Sequence, residues 1–324
     1  MKKILGIGNA LVDVMTIVPN DDVLAQHNLS KGSMQLVDAE VSRKIVNSVE
    51  QYNPKISAGG SVANTVHGLA RLGVECGFIG KIGNDLMGQM FKSDMERDGI
   101  ATYLCSSTSA SGRAIAFVTP DSERTFATHL GAAVELSAFD INAAMFADYN
   151  LFYVEGYLVQ DHNLIETAIK TAKSQMMTIA IDLASYNVVA ENIDFLKRII
   201  AEYVDIVFAN EEEAKVFTGK TAEEAAEELA KICQIAVVKV GKDGSIIRRG
   251  SEVCRVGIID ANCIDTTGAG DLYAAGFLYG FINDLTLEQC GKYGALLSGK
   301  VVENLGGQIS ADGWEYINNE KGKI

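Results

Sequence analysis

The sequence predicts an α/β protein in which a mostly parallel sheet is covered by helices and carries a small β lid. Three observations support that fold class. Short runs rich in Val and Ile, without polar alternation, suit strands buried on both faces. They alternate with helical patterns that end in glycine, as strand–helix–strand units do. Two further stretches break the alternation with β-prone runs split only by turn residues.

Along the chain, "KKILGIG" reads as a first strand and "SVANTVHGLARLG" as a helix closed by Gly73. "VECGFIG" is a strand again, followed by the helix "DLMGQMFKSDMERDG", closed by Gly99. "NLFYVEG" and "MMTIAIDL" are strands flanking the helical "HNLIETAIKTAKS". "VDIVFAN" leads into the helices "EEEAKVFTG" and "TAEEAAEELAKIC", and then into the strand "QIAVVKV". Residues 11–37 and 101–128 are the two interruptions, with "PNDD" and "PDSE" as their turns. No crossover helix separates their β runs, so antiparallel pairing is expected. The predicted division is a large domain (1–10, 38–100 and 129–324) and a lid (11–37 and 101–128) of the kind that excludes water from a reaction.

The chain has 324 residues and a formal net charge of −14. That balance argues against a nucleic-acid partner, which normally leaves a basic patch, and against an anionic membrane surface. Six cysteines (Cys76, Cys105, Cys233, Cys254, Cys263, Cys290) form no C-x-x-C pair and are joined by only four histidines. Neither a disulfide framework nor a zinc site is indicated, and a reducing cytoplasm fits. The opening "MKKILGIGNALV" imitates a signal peptide, but Asn9 and Asp13 interrupt the apolar run and no small-residue cleavage site follows. No other apolar run approaches the ~20 residues of a membrane span. A bare lid edge could pair between subunits, so monomer and homodimer both remain open.

Several motifs could carry chemistry. "GIGNAL" lacks the third glycine and the ribose-binding acid of a dinucleotide fingerprint. Asp13 is a lone acid in an apolar strand, suited either to a turn or to a ligand hydroxyl. "AGGSVANT" places Gly59 and Gly60 before a helix with Asn64 one turn in. That is either a tight strand-to-helix turn or a close approach to ligand hydroxyls. Asn210 and Glu213 of "ANEEE" share a helical face. They either complement the helix dipole or order the water shell of a magnesium ion. "VVKVGKDGS" ends a strand in a glycine turn holding Lys239, Gly241, Lys242 and Gly244, where a lysine either meets a nucleotide phosphate or stays solvated.

"DTTGAGD" (265–271) opens an apolar helix and lacks the Lys-Ser/Thr of a Walker loop. The amides of Gly268, Ala269, Gly270 and Asp271 can converge on one anion, as a transferring phosphoryl group requires. Asp271 then serves as general base for a hydroxyl nucleophile. Asp265 folds back on the loop or takes a cation with Thr267.

Together, "GGSVAN", "NEEE" and "DTTGAGD" resemble the ribokinase-like, or PfkB, carbohydrate and nucleoside kinases over essentially the whole chain. The resemblance implies a three-layer helix–sheet–helix fold with a β lid, and phosphorylation of a primary hydroxyl by ATP with magnesium. It implies Asp271 as base, Gly268, Ala269 and Gly270 as anion hole, and Asn210 with Glu213 as the magnesium and phosphate-ordering pair. Asp13, Gly60 and Asn64 would bind acceptor hydroxyls, and Asp265 with Thr267 a monovalent cation such as K+. The run "GIGNALVDV…NLSKGSMQLVD" is similar to adenosine kinases, which implies ribonucleoside acceptors, adenosine first, and Tyr157 or Phe117 packed on the purine. Those kinases lead one to expect consecutive phenylalanines near Tyr157, where Leu158 stands instead. The rivals are a sugar or an inosine/guanosine acceptor, a non-catalytic sensor, and a nicotinamide-dependent oxidoreductase.

Overall fold

In a computed structural model the chain is described over residues 2–121 and 123–324; Met1, and Ser122 of the expected PDSE turn, lie outside the described residues. Its strands, in chain order, are β1 (Ile4–Ile7), β2 (Leu11–Ile17), β3 (Met34–Leu36), β4 (Lys55–Gly59) and β5 (Cys76–Gly83). Next come β6 (Ala101–Ser107), β7 (Gly112–Val118), β8 (Arg124–His129), β9 (Leu151–Glu155) and β10 (Thr178–Asp182). The last four are β11 (Ile206–Asn210), β12 (Ile235–Lys239), β13 (Ser245–Arg249) and β14 (Glu252–Val256).

Nine strands build the large sheet in the order β14-β13-β12-β11-β10-β9-β1-β5-β6. Pairing is parallel from β12 to β6, and the edge pairs β12–β13 and β13–β14 are antiparallel. Alternation along the strands explains why the apolar runs are continuous. Phe152, Val154, Ile179, Ile181 and Val207 feed the core on one face of the sheet. Tyr153, Ala180, Ile206 and Phe208 feed the core on the other. Both faces are covered, giving the helix–sheet–helix layering expected of the fold class.

A second sheet runs β3-β8-β7-β2-β4. Three details depart from the expected lid. Residues 101–107 form β6 at the edge of the large sheet, and β4 closes the small one although it was expected in the large domain. Moreover, β2–β7 and β3–β8 pair in parallel, and only β7–β8 and β2–β4 are antiparallel. The chain reaches β7 by way of β5 and β6 in the large sheet, so it re-enters the small sheet in the same direction as β2.

From β1 the strand order runs outward in both directions, to β5 and β6 on one side and to β9 through β12 on the other. Such a reversal leaves a crevice beyond the carboxyl ends of the strands, where α/β proteins hold ligands. The helix that borders this crevice, Ala269–Ile282, lies against Leu287–Val301 so closely that a Cβ on Gly276 would meet the backbone carbonyl of Tyr293. Gly276→Ala is therefore expected to cost about 1–3 kcal/mol by overpacking, read as a lower urea midpoint with an unchanged m-value.

Candidate active site

Four strands end in polar residues at this crevice, and a fifth is followed by one. β9 ends at Glu155, β10 at Asp182, β11 at Asn210 and β12 at Lys239, and Asn9 follows β1. The loop-to-helix turn 265–271 lies over them, and the Ser61–Arg71 helix faces it.

Gly268 caps the Ala269–Ile282 helix in the left-handed region at φ 76°, with Gly307 so close that a Cβ would lie 2.6 Å from its Cα. Only glycine meets both conditions. In the first helical turn the amides of Gly270 and Asp271 have no intrahelical acceptor. The Ala269 amide, by contrast, donates to the Thr266 carbonyl at 3.2 Å. Three of the four amides expected to converge on an anion are thus free of that turn contact.

Asp271 is held from the opposite helix. Ser61 Oγ donates to its Oδ1 at 2.7 Å, Asn64 Nδ2 to its Oδ2 at 2.9 Å, and Thr65 Oγ1 to its backbone carbonyl at 3.0 Å. Burial raises its carboxyl above the ordinary range, against the pull of the Asn64 and Ser61 hydrogen bonds. A raised carboxyl is better poised to accept a proton near neutral pH.

Lys239 lies directly below the glycine turn. A Cβ on Gly270 would be 3.1 Å from its Nζ, which donates to Asp182 Oδ2 at 2.7 Å. Burial alone would lower this ammonium, yet Asp182 and Glu213 outweigh it and hold the group charged. Asn210 and Glu213 form a capping box on the Glu211–Thr218 helix, with the Asn210 amide and Nδ2 donating to the two carboxylate oxygens at 2.8 and 2.6 Å. Glu213 is pushed up to about 7 by burial and then by Asp182.

On the acceptor side, a Cβ on Gly59 would collide with the Asp13 carboxyl, and Gly60 adopts φ 97° against the Asn9 carbonyl. Asp13 is raised to about 7 by burial and by Asp271. Glu155 also stands at about 7 through burial; it accepts from Asn9 Nδ2 at 2.6 Å and from the Val62 amide at 3.3 Å. Asn9 Oδ1 is buried and has no partner among the described residues.

Asp265 bonds its own loop, and Phe117 departs from its expected place. The Asp265 carboxylate, buried to 1% exposure, accepts from the Thr267 amide at 2.6 Å and the Gly306 amide at 2.9 Å. Its counter-charge is the guanidinium of Arg124 from β8, which also donates to Thr267 Oγ1 at 3.0 Å. Asp265 thus folds back on its own loop, the first of the two roles open to it, with Arg124 as a positive neighbour. Phe117 does not face the site; it is fully buried beneath the small sheet with its ring 6.2 Å from His27. Its neighbours Ala116 and Val118 cluster with Met15 on the other face. One residue of offset along a strand reverses the side chain's face. Tyr157, 44% exposed, does line a cavity of about 210 Å³ with Asn9, Val134 and Leu136.

A larger cavity, about 380 Å³, opens on the other side of the turn. Lys239, Gly241, Lys242 and Gly244 border it together with Ile258, Thr266, Ala269 and Tyr273. Apolar walls with lysines and a glycine turn at one end suit a nucleotide, base in the pocket and phosphates at the helix start. Among the described residues no three carboxylate, imidazole or thiol groups converge as direct metal ligands. The excess of carboxylates (Asp182, Glu213, Asp271) over Lys239 fits magnesium held through water and phosphate oxygens. When bound, the ion would neutralise the transferring phosphates.

Sequence reasoning passed over Ser61, Thr65, Glu155, Asp182, Asn9 and Arg124. Asp182 and Glu155 did carry a signal, being single acids at the ends of apolar strands, the same feature that marked Asp13.

A base beside an anion-binding turn, between an acceptor crevice and a nucleotide-shaped cavity, defines a phosphotransferase acting on a hydroxyl group. The family model described as "pfkB family carbohydrate kinase" matches residues 25–313, and the chain belongs to that family, whose kinases use ATP with Mg2+. It is similar to a probable sugar kinase from Rhizobium etli, with 32% identity and a TM-score of 0.88 over 100% of this chain and 99% of that one. It is also similar to the adenosine kinase from Sinorhizobium meliloti, with 32% identity and a TM-score of 0.86 over 98% and 99%. A 5-dehydro-2-deoxygluconokinase from Geobacillus kaustophilus is 30% identical over 76% of this chain and 79% of its own length. The chain is a PfkB-type kinase of sugars or nucleosides.

Asp13→Asn tests the electrostatics of the acceptor side. A carboxyl at about 7 in the fold and 3.8 when free destabilises the fold increasingly as pH rises between those values. Removing it is expected to raise Tm by several degrees at pH 8 and by less at pH 5.

Proposed function

We propose that the protein transfers the γ-phosphoryl group of ATP to the 5′-hydroxyl of a ribonucleoside, adenosine foremost, yielding AMP and ADP. The observation that carries this reading is the clasp on Asp271, whose carboxylate is bound by Ser61 and Asn64 from the acceptor side while its own amide belongs to the anion-binding turn. One residue thus touches both reacting partners.

Asp13 and Asn64 take the ribose hydroxyls, with Gly59 and Gly60 giving the backbone room. Asp271 accepts the 5′-hydroxyl proton as that oxygen attacks phosphorus and ADP leaves. The amides of the 268–271 turn and the Lys239 ammonium stabilise the charge on the phosphoryl oxygens. Lys242, Gly241 and Gly244 border the remaining phosphates, and Glu213 with Asp182 would hold magnesium through water. The small sheet covers the acceptor and keeps water from competing as nucleophile.

A nucleoside rather than a bare sugar is favoured by the cavity beside Tyr157. Its volume of about 210 Å³ gives a base room beyond the ribose, and Asn9 Oδ1 offers an unused acceptor in its wall. The similarity to the Sinorhizobium meliloti adenosine kinase supports the same assignment. Six free cysteines and the absence of any helix long and apolar enough to cross a membrane, among the described residues, accord with work in the cytoplasm.

A coupled assay of ADP release with adenosine, inosine, ribose, fructose and 5-dehydro-2-deoxygluconate tests the acceptor. Adenosine is expected to give the highest kcat/KM, exceeding ribose by ~10²-fold or more, since the base adds binding energy that the sugar lacks. A sugar that outruns adenosine would overturn the nucleoside reading while leaving the kinase intact. Asp271→Asn is expected to lower kcat by at least ~10²-fold with ATP affinity little changed; near-normal turnover would refute its role as base.

A further inference from the structure

Glu155 ends β9 inside the crevice, yet no step of the phosphoryl transfer uses its carboxyl. The side chain is buried to 2% exposure, and Gly8 leaves it space, since a Cβ there would lie 2.5 Å from Oε2. Its neighbours are donors. Oε1 accepts from Asn9 Nδ2 at 2.6 Å, and Oε2 accepts from the Val62 amide at 3.3 Å. Val62 lies in the first turn of the Ser61–Arg71 helix, where Gly60 supplies no side-chain cap. Amides of a first turn lack intrahelical acceptors, and a negative group suits that end of a helix. Burial pushes the carboxyl up to about 7, while the bonds from Asn9 and Val62 pull it back. At pH 8 the group is therefore mainly ionised.

An ionised carboxyl carries no proton and can only accept hydrogen bonds. Glu155 thus decides which end of the Asn9 amide turns toward it. Nδ2 is drawn to the carboxylate, and Oδ1 is left as the free end of a side chain that lines the cavity of about 210 Å³ beside Tyr157. Oδ1 is buried and has no partner among the described residues. A bare acceptor of this kind is costly, and a ligand N–H that reaches it removes the cost. Other polar groups of the cavity impose no such direction. The Tyr157 hydroxyl can donate or accept, Gln160 carries both kinds of atom, and Asp161 Oδ1 is engaged with the Leu164 amide at 3.0 Å.

We propose that Glu155 is a positioning residue for acceptor choice: by holding the Asn9 amide in one orientation, it makes the cavity wall favour a nucleobase that presents an amino group over one that presents a carbonyl oxygen. The inference rests on the nucleoside reading above and deepens it. A 6-aminopurine brings the N–H that Oδ1 lacks, whereas a 6-oxopurine sets oxygen against oxygen. Sites built to bond a polar group discriminate well, because the mismatched ligand leaves buried atoms unpaired.

Glu155→Gln separates this role from packing. The Val62 amide still requires an acceptor, so it holds the new side-chain oxygen and leaves the nitrogen facing Asn9. That nitrogen donates to Oδ1, and Asn9 turns Nδ2 to the cavity instead.

Calorimetric binding and coupled ADP release with adenosine and with inosine, at pH 8, test the assignment. The wild type is expected to favour adenosine in kcat/KM by ~10-fold or more, the effect of one buried hydrogen bond made or left unmade. In Glu155→Gln the ratio is expected to fall to one or below. The change should lie in KM with kcat for adenosine little altered, since the amide touches binding and not the reacting hydroxyl. The double variant Asn9→Asp/Glu155→Gln returns an acceptor oxygen to the wall and is expected to restore the adenosine preference. A general loss of packing would weaken both nucleosides alike and would not be rescued. If Glu155→Gln fails to fold, Asn9→Ala removes both ends of the amide and is expected to bring the two nucleosides to parity. Equal or better use of inosine by the wild type, or an adenosine preference unchanged in the variants, would overturn the role of Glu155 and leave the kinase intact. A wild type that binds neither nucleoside would overturn both.

Discussion

The structure turns on a cluster of buried carboxylates served by a single ammonium. Asp182, Glu213 and Asp271 surround Lys239, with Asp13 close enough to Asp271 to feel its charge, and burial holds the Asp13, Glu213 and Asp271 carboxyls above their ordinary range. An arrangement of this kind opposes folding, because each ionised acid is poorly solvated and repels the next. It persists because the strand ends and the glycine turn are fixed by packing elsewhere. Substrates and a divalent ion relieve the repulsion, so binding and charge neutralisation are the same event. Binding energy is thereby drawn toward the reacting centre and away from uniform adhesion.

The topology explains why those groups meet. Strands β9 to β12 and β1 are parallel neighbours, so their carboxyl ends lie at one edge of the sheet. Each strand is apolar for burial on two faces until its last residue, where the sheet stops and a polar side chain becomes affordable. Two segments some two hundred residues apart in sequence then close the crevice. The Ser61–Arg71 helix offers hydroxyl and amide groups, and the 265–271 turn offers backbone N–H groups. Neither works alone: the turn positions the acid, and the helix orients it.

Much of this was legible in the sequence, for identifiable reasons. Glycines in "GGSVAN" and "DTTGAGD" mark backbone that must bend or be approached closely, and Gly59, Gly60 and Gly268 do so. Strand type was legible because parallel, doubly buried strands leave uninterrupted apolar runs. The lid was read less well. β6 carries the half-exposed pattern of an edge strand and so resembles a flap, and β4 is five residues with only Ile56 strongly β-prone. Parallel pairing within the small sheet follows from the chain's route through the large one, which no local pattern encodes. Asp182, Glu155 and Arg124 escaped for a related reason. Each is one ordinary residue, and its meaning comes from which strand end or turn lies beside it in space. Phe117 failed differently, since its aromatic character was right and its side of the strand was wrong.

The ion pair between Arg124 and Asp265 joins the small sheet to the turn beneath it. Because Asp265 is almost wholly enclosed, parting that pair strands a bare negative charge next to the phosphate site, at the expense usual for a broken interior pair. Any rearrangement that separates the small sheet from the turn therefore carries an electrostatic cost at residue 265 as well as a packing one.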